Sequence, residues 1–391
     1  MRALMVGCFL DGTGYARSAI DQALALDASG VDLACRALRL ADITHPVPPR
    51  LEELLRKPCP AGEWEVLIQH TLPVFFERRG EILCNVGMFH PETSHFRGTG
   101  WQHRLNLLDG VIVASTHGAE ACRRSGVTVP IQVVPQACDT DWLTGEHDPL
   151  SQLASLKREG KFLFYTVGEA IRRKNLGGLF KAYLTEFFPW EGVHLVIKTS
   201  RPGMSEPDLR SFLTQMAQEG AVGLKVPDFR RGSITFLTER FSDEQMARLH
   251  ATGDVFVQTS FGEGWSLPAQ MALGMGKTPI VPDSTAYREY VDDSVGWLIP
   301  TVSEPCFGDE SHPDLYRGEE EWESVSILGL RRALREAFTQ HVLRQEKARR
   351  GRERIERFSY PCVGALLVEA LNHVQKTIRW VQSPLRSVPM D

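Results

Sequence analysis

Short apolar runs alternate with amphipathic stretches along almost the whole chain. Buried parallel strands are continuously apolar and crossover helices are amphipathic, so this alternation predicts an α/β fold with parallel sheets. The predicted strands are 3–9, 66–69, 82–88, 111–115, 131–135, 162–167, 194–198, 234–237, 254–258 and 278–282. The predicted helices include 16–28, 176–187 and 206–219.

The pattern lapses between residues 142 and 161, where Gly, Asp, Pro and charged residues take over. A chain of 391 residues is longer than one hydrophobic core commonly reaches. We therefore predict two doubly wound α/β domains, at 1–150 and 160–358, joined by a linker. The segment 322–376 is predicted to be helical throughout, with a break at Ser359, Tyr360 and Pro361.

Composition and charge narrow the class of protein. The chain is 42% hydrophobic and 24% charged, as is ordinary for a globular protein. Residues 1–150 hold 13 Lys and Arg against 18 Asp and Glu, and they carry the whole net charge of −5. Nucleic-acid-binding proteins normally present a basic face, so a nucleic acid is a poor candidate substrate, although charge alone leaves it open as an acceptor.

The chain contains no apolar stretch long enough to cross a bilayer, and its apolar start leads into Asp11 without a signal-peptide cleavage site. The eight cysteines are scattered, with no Cys-x-x-Cys pair, which indicates reduced thiols and no zinc site. We expect a cytoplasmic protein with no transmembrane segment and no bound metal.

Three stretches carry candidate chemistry, and the first is Gly12-Thr13-Gly14, between a strand and a helix. Glycines there let backbone amides approach an anion at the helix start. The dinucleotide fingerprint is incomplete, because Arg17 stands where it has its third glycine. A donor contact and a tight turn without a ligand remain equal alternatives.

The second stretch places Arg172, Arg173 and Lys174 between a strand and a helix. Ligands of open α/β sheets bind at the carboxyl ends of the strands, and a diphosphate needs paired positive charge there. The alternative, a solvated turn, is less favoured because short turns rarely need three adjacent cations.

The third stretch, 254–281, contains a buried strand, then Gly262, Glu263 and Gly264, then a helix with small residues. A carboxylate in an exposed loop there accepts hydrogen bonds from sugar hydroxyls, and neighbouring amides stabilise negative charge. Taken alone, Glu263 is equally consistent with a helix cap.

These stretches, in this order and spacing, resemble the donor half of family 4 glycosyltransferases, with their Val-Gly-Arg-x-x-x-x-Lys-Gly and Glu-Gly-Phe-Gly-Leu-Pro-x-x-Glu-Ala motifs. Segments 109–115, 133–139 and 236–257 resemble further parts of that family. The resemblance implies the GT-B fold: two Rossmann-like domains facing a central cleft, with a C-terminal helix, 360–391, returning to the first domain.

The resemblance also implies roles for individual residues. Lys174 is expected to contact the donor diphosphate, with Arg172 or Arg173 beside it. Glu263 is expected to hold a hydroxyl of the transferred sugar. The other donor contacts that it implies are Thr238 and Glu239 by the base, and Gly264, Trp265, Ser266, Leu267 and Met271 by the phosphates and ribose. From the first domain, either His90 or Glu92 is expected to meet the acceptor, while His70 is interpreted as a structural strand-end histidine.

Three departures from the family's pattern concern the donor. Glu169 stands where the family has its first arginine, Met271 replaces the second glutamate of the pair, and Thr278 is an extra residue before a proline. A thioether does not accept a ribose hydrogen bond as a carboxylate does.

The resemblance implies a retaining, metal-independent hexosyltransferase that uses a nucleotide-diphosphate sugar as its donor substrate and needs no cofactor. The acceptor remains open among a glycan, a lipid and a small molecule. The alternatives are a nucleotide-sugar-binding protein and an epimerase of the same fold.

Overall fold

The computed structural model describes residues 1–39, 44–60, 62–223, 233–307 and 315–382. The chain divides into two compact units. The first comprises Met1–Pro91, His95–Cys138 and Phe358–Asp391, and the second comprises Glu92–Ser94 and Asp139–Arg357.

The strands of the described ranges are β1 Arg2–Gly7, β2 Asp32–Ala37, β3 Val66–His70, β4 Cys84–Met88, β5 Gly110–Val113, β6 Ile131–Val133, β7 Phe162–Glu169, β8 Val193–Ser200, β9 Ile234–Leu237, β10 Val255–Val257, β11 Thr278–Pro282, β12 Trp297–Ile299, β13 Thr301–Phe307 and β14 Arg317–Val325.

The helices are α1 Gly14–Ala28, α2 Pro49–Arg56, α3 Trp101–Leu105, α4 Thr116–Arg124, α5 Thr140–Thr144, α6 Ala154–Arg158, α7 Leu176–Glu186, α8 Glu206–Gly223, α9 Asp243–Thr252, α10 Leu267–Gly274, α11 Ile327–Thr339, α12 His341–Ile355 and α13 Tyr360–Gln382. None of these helices combines the length and the apolar composition that crossing a bilayer requires.

The first unit is built on a parallel six-stranded sheet in the order β2-β1-β3-β4-β5-β6. The chain moves from β1 to β2 on one side and then returns to place β3 on the other side of β1. In open α/β sheets, a ligand crevice forms outside the carboxyl ends of the strands at such a switch point. The crevice of this unit is therefore expected between the ends of β1 and β3.

The C-terminal helix α13 packs against α1 within the first unit. Gly364 permits the close approach, because a Cβ atom there would lie 2.0 Å from the carbonyl oxygen of Ala25. The Tyr360 hydroxyl donates a hydrogen bond of 2.8 Å to Asp21, a buried carboxylate on α1. The expected return of the C-terminal helix to the first domain is confirmed for 360–382, and the remaining part of the predicted segment, 383–391, lies outside the described residues.

The second unit repeats the parallel architecture in the order β12-β11-β10-β7-β8-β9. Its core side chains, among them Phe164, Leu179, Leu195 and Val257, are fully buried between the sheet and its helices. Here the order of the strands reverses between β7 and β10. Two parallel sheets covered by helices confirm the predicted α/β class.

An antiparallel hairpin, β13 and β14, follows the second sheet. The prediction that 322–376 is helical throughout is therefore wrong at its start, because β14 continues to Val325 and α11 begins at Ile327. Glutamates favour helix locally, yet the side chains of 317–325 alternate between the two faces, and Glu320 and Trp322 are buried. Tertiary packing of Trp322 outweighs the local helix propensity.

Candidate active site

A short turn carries the cations of the second unit. After β7 ends at Glu169, residues Arg172–Lys174 form one 3-10 turn, and α7 begins at Leu176. Asn175 joins them in the left-handed conformation, with φ 49°, and its side chain accepts a hydrogen bond from the Gly178 amide. This geometry buries Arg173 and leaves Arg172 exposed.

Glu263 lies in the loop that follows β10, beside the same cations. Lys174 Nζ is 2.5 Å and Arg173 Nη1 is 3.3 Å from Glu263 Oε1. The Gln258 amide donates to the same oxygen at 3.0 Å. The expectation of an exposed loop is wrong, because Glu263 is only 4% exposed. Burial acts to raise the pKa of Glu263, but Lys174 and Arg173 outweigh it and hold that pKa below its usual value.

This charge cluster lies at the switch point of the second sheet. Arg173 and Lys174 follow β7, and Glu263 follows β10, which are the neighbouring strands between which the order reverses. The expected crevice outside their carboxyl ends is thus lined by paired cations and a buried carboxylate. The structure brings Arg173 and Lys174, rather than the exposed Arg172, to Glu263.

Glu92 belongs to the three-residue segment Glu92–Ser94, which clusters with the second unit. Glu92 Oε2 lies 2.9 Å from Arg173 Nε and accepts a hydrogen bond of 3.2 Å from Tyr316. Gly262 permits this approach, because a Cβ atom there would lie 2.0 Å from the Glu92 carbonyl oxygen. Glu92 is therefore an ion-pair partner of Arg173.

The raised pKa of Glu92 predicts a pH effect on stability. Burial raises this pKa, and Arg173 only partly opposes the shift. The folded state thus retains a proton that the unfolded state has released, so the free energy of unfolding falls as pH rises from about 4.3, the unfolded pKa, through the folded pKa. Glu92→Gln is expected to remove this loss. Thermal unfolding between pH 4 and 7 measures this pH dependence, and the exposed Glu321→Gln serves as control. If stability changed with pH in the same way in the parent, Glu92→Gln and Glu321→Gln, the prediction would be contradicted.

The hairpin supports the loop that carries Glu263. Trp322 stacks on Phe261 with ring centroids 4.7 Å apart, and the Glu323 amide donates to the Phe261 carbonyl at 2.8 Å. The Phe261 amide in turn donates to the Arg173 carbonyl at 2.8 Å. The hairpin, the loop and the cation turn are therefore one hydrogen-bonded structure.

The predicted phosphate and ribose contacts lie at the start of α10. Ser266 has φ 79° and donates to Gln258 Oε1 at 2.5 Å. Gly264, Trp265 and Ser266 are buried, whereas Leu267 and Met271 are partly exposed. Gln270, the neighbour of Met271, is buried and accepts a hydrogen bond from the Trp265 indole at 3.0 Å. Its amide oxygen thus already accepts one hydrogen bond, from the Trp265 indole.

The predicted base contacts lie after β9. The buried Thr238 hydroxyl accepts a hydrogen bond from Arg210 at 3.1 Å, and Glu239 accepts one from Gln152 at 2.6 Å. Lys198, at the end of β8, is also buried, with its ammonium 4.9 Å from the centre of the Phe241 ring. Burial lowers the pKa of Lys198.

The turn after β1 carries the two glycines of the first unit. Gly12 has φ 62°, and a Cβ atom there would meet the His45 ring at 2.1 Å. Thr13 caps α1 by accepting from the Ala16 amide at 3.1 Å. Gly14 is the first residue of α1, and a Cβ atom there would have nothing within 4 Å. Backbone conformation and packing therefore explain Gly12, whereas an open space lies beside Gly14.

Four polar side chains meet at the switch point of the first sheet. Ser18 Oγ lies 3.0 Å from His70 Nε2, 3.0 Å from His90 Nε2 and 2.6 Å from Gln136 Oε1. The Tyr15 ring makes T-shaped contacts with both imidazoles. Burial lowers the pKa of His70 to about 4, and burial together with His70 lowers the pKa of His90 well below 6.5. His70 and His90 thus share Ser18 as a partner. The interpretation of His70 as a structural strand-end histidine did not anticipate this contact.

Comparisons with known proteins identify the architecture of the chain. No protein-family model matches the chain, and no curated protein matches it by sequence. Solved structures do match. HepE from Anabaena, in complex with UDP and glucose, aligns over 95% of this chain and 100% of its own, with a TM-score of 0.66 and 13% identity.

Two further solved structures are similar over the same extent. Sucrose-phosphate synthase from Thermosynechococcus elongatus aligns over 96% of this chain and 100% of its own, with a TM-score of 0.65 and 15% identity. The α,α-trehalose 6-phosphate synthase from Burkholderia multivorans aligns over 96% and 99%, with a TM-score of 0.66 and 12% identity. The chain has the GT-B fold. Identities this low establish the fold alone.

The sequence analysis did not single out five residues that lie in or beside the polar sites described above: Ser18, Gln136, Lys198, Gln258 and Trp322. Lys198 and Gln258 had a usable signal, because each is a polar residue at the end of an apolar strand, where ligands of such sheets bind. Ser18 carried none, since one serine in an alanine-rich helix is an ordinary residue. In the described ranges, no three His, Cys, Asp or Glu side chains cluster closely enough to hold a metal ion.

Proposed function

We propose that this protein is a glycosyltransferase that moves a sugar, a hexose, from a nucleotide-diphosphate sugar to a hydroxyl acceptor with retention of configuration. The observation that carries the proposal is the buried cluster of Arg173, Lys174 and Glu263 at the switch point of the second sheet. The solved structure of HepE with UDP and glucose, and the two sugar-phosphate synthases of the same fold, support this choice of substrate class.

The cluster supplies what such a donor needs. Arg173 and Lys174 offer two positive charges to a diphosphate, and Glu263, held ionised by them, accepts hydrogen bonds from sugar hydroxyls. Backbone amides at the start of α10 add partial positive charge. As the bond to the sugar breaks, negative charge grows on the leaving diphosphate, and cations fixed in a buried place stabilise that charge without reorganising.

The proton of the acceptor hydroxyl needs no strong protein base in this proposal, because the leaving phosphate takes it on the face where the new bond forms. The anomeric configuration is retained when the acceptor attacks the sugar from the same side from which the diphosphate departs. The donor is a substrate, and no cofactor takes part. A glycan, a lipid or a small molecule remains open as the acceptor, and the activity is expected to be cytoplasmic.

Nucleotide binding tests the phosphate role of Lys174. We first screen UDP, GDP and ADP by thermal shift, since a true ligand stabilises the folded state by mass action. Lys174→Met is expected to lower the affinity for the nucleotide that binds best by about tenfold to a hundredfold, because it removes one charge-assisted contact. Arg172→Met is the matched control: it removes a cation from the same turn, but an exposed one, and affinity is expected to stay within about twofold. Equal losses in both variants would argue against a diphosphate site at Lys174.

A second candidate is a protein that binds nucleotide sugars with little transferase activity, and Met271 favours it. This residue stands where the resembling family has a carboxylate, and its thioether is a weak acceptor. Release of nucleotide from UDP-sugars, GDP-sugars and ADP-sugars distinguishes the candidates. Tight binding of a nucleotide sugar without any release of nucleotide would favour the second candidate, the binding protein.

A further inference from the structure

The β13–β14 hairpin packs against the loop that carries Glu263. On β14, the side chain of Trp322 is only 1% exposed. Its ring lies over the ring of Phe261, with 4.7 Å between the centroids and 19° between the planes. Phe261 is two residues before Glu263 in the loop after β10. A large apolar contact thus joins the hairpin to the backbone just before the carboxylate.

The backbone of Phe261 is held from two sides. Its carbonyl oxygen accepts a hydrogen bond of 2.8 Å from the Glu323 amide of the hairpin. Its own amide donates at 2.8 Å to the carbonyl oxygen of Arg173, in the turn that carries the cations. Because both backbone polar groups of Phe261 have partners, a displacement of this residue weakens at least one of the two hydrogen bonds. Phe261 therefore joins the hairpin to the cation turn.

Further contacts fix the strand that presents Trp322 to the loop. The neighbouring Glu321 exchanges two hydrogen bonds of 2.9 Å with Ser94: its carbonyl oxygen accepts from the Ser94 amide, and its amide donates to Ser94 Oγ. The Tyr316 ring lies 5.6 Å from the Trp322 ring, and its hydroxyl donates to Glu92 at 3.2 Å. The indole is thus mounted on a strand that is itself anchored.

Trp322 acts through packing and not through a hydrogen bond. Its indole Nε1 is buried and has no hydrogen-bond partner among the residues that the structure describes. Stacked aromatic rings prefer particular relative orientations, in addition to burying apolar area. A leucine would keep part of the buried area without that orientation, whereas a phenylalanine would keep an aromatic face and lose no hydrogen bond. These two replacements therefore separate stacking from burial.

The stacking contact differs in kind from the charge contacts of Glu263. In the free protein, Lys174 at 2.5 Å and Arg173 at 3.3 Å hold this carboxylate. In the proposed reaction both cations also attract the diphosphate, which competes with the carboxylate for them. The contact between Trp322 and Phe261 is uncharged, so the diphosphate does not compete with it. The loop then keeps a restraint that is independent of the donor.

We propose that Trp322 is a positioning residue of the donor site: its stacking fixes Phe261, and Phe261 fixes the loop on which Glu263 meets the sugar. The restraint on the loop follows from contacts in the free protein, whereas its effect on sugar transfer rests on the proposed function. A misplacement of about 1 Å lowers a rate about a hundredfold, so a packing contact outside the reacting groups controls turnover.

The kinetics of Trp322→Leu test this role. We expect kcat to fall about tenfold to a hundredfold, while the Kd of the nucleotide that binds best stays within about threefold, because the cation turn keeps its charges. Trp322→Phe retains the stacking and is expected to keep kcat within about threefold of the parent. A parental kcat in Trp322→Leu, or equal losses in both variants, contradicts the proposal.

Trp297→Leu is the matched control for these variants. Trp297 is another buried tryptophan of the second unit, and it lies in the core between the sheet and its helices. Its replacement is expected to lower Tm but to leave the kcat of the folded protein within about twofold of the parent. If Trp297→Leu lowered kcat as much as Trp322→Leu, the effect would be a general loss of stability, and the positioning role would be rejected.

A double variant tests whether Trp322 acts through Phe261. Phe261→Leu removes the other ring of the stack and is expected to lower kcat as much as Trp322→Leu. Because both substitutions break one contact, the double variant is expected to lie within about twofold of either single variant. Losses that multiply would show that the two rings act separately and would overturn the proposal. If Trp322→Leu does not fold, Phe261→Leu takes its place in the kinetic test.

Hydrogen exchange tests the restraint without any substrate. The hydrogen-bonded Phe261 amide makes a peptide that contains residues 258–266 a reporter of the loop. Trp322→Leu is expected to speed the exchange of this peptide about tenfold, while a peptide from α7 keeps its parental rate. Trp297→Leu is expected to leave the loop peptide unchanged. Parental exchange of the loop in Trp322→Leu overturns the proposal. If the parent protein transfers no sugar, the proposed function fails, and the exchange still decides whether Trp322 holds the loop.

Discussion

Glu263→Gln is expected to lower kcat about a hundredfold to a thousandfold, the range observed when one preorganised electrostatic partner of a transition state is removed. The amide keeps the size of the side chain and an oxygen for Gln258, but it loses the charge that orients Lys174 and Arg173. Two cations without their carboxylate are expected to hold the diphosphate more tightly, so nucleotide release slows while sugar positioning is lost. Steady-state kinetics with the best donor measure the effect.

Glu321→Gln is the matched control for this prediction. Glu321 is an exposed carboxylate on β14, and its backbone, not its side chain, bonds to Ser94. Its removal is expected to change kcat by less than about twofold. The stability of Glu263→Gln needs its own measurement, since Glu263 is buried and is not the exposed loop residue that the sequence suggested. If a folded Glu263→Gln protein kept the kcat of the parent, Glu263 would have no part in the reaction.

Acid sensitivity gives an independent check on Glu263. Its pKa is lowered in the folded state, so its contribution to stability is present above the unfolded value of about 4.3 and is lost as pH falls through the folded pKa. Glu92 acts in the opposite sense, since its pKa is raised. The two carboxylates thus share Arg173 but respond to pH with opposite signs.

The sheets were predictable because their signal is local. The apolar runs at 162–167 and 254–258 correspond to the buried strands β7 and β10, and a continuous apolar run is what burial on both faces requires. The cation turn and the Gly262–Gly264 loop were found for the same reason, since each directly follows such a strand.

The partners of these residues were not predictable from the sequence alone. Lys174 and Glu263 are 89 positions apart, and Ser18 and Gln136 are 118 apart, so no local pattern joins them. The burial of Glu263 depends on those distant cations. The three consecutive cations are equivalent in the sequence, and only the left-handed Asn175 and the geometry of the turn decide that Arg173 is buried.

Arg173→Met is expected to cost about 3–5 kcal/mol of the free energy of unfolding, the range for removing one partner from a buried ionic pair. Arg173 lies 2.9 Å from Glu92 and 3.3 Å from Glu263, and donates to the Gly262 carbonyl at 2.8 Å. Without the guanidinium, two partly or fully buried carboxylates lose a shared counter-charge. Urea unfolding followed by circular dichroism measures the loss, and the exposed Arg172→Met is expected to stay within about 0.5 kcal/mol.

Adding Glu92→Gln to Arg173→Met separates the ionic contribution from simple packing. If charge is the cause, the second substitution removes one uncompensated carboxylate, and the double variant is expected to regain about 1–2 kcal/mol. If the methionine merely packs poorly, the two costs add. Regained stability should not restore nucleotide affinity, because the double variant still lacks the Arg173 cation that the proposed function assigns to the diphosphate.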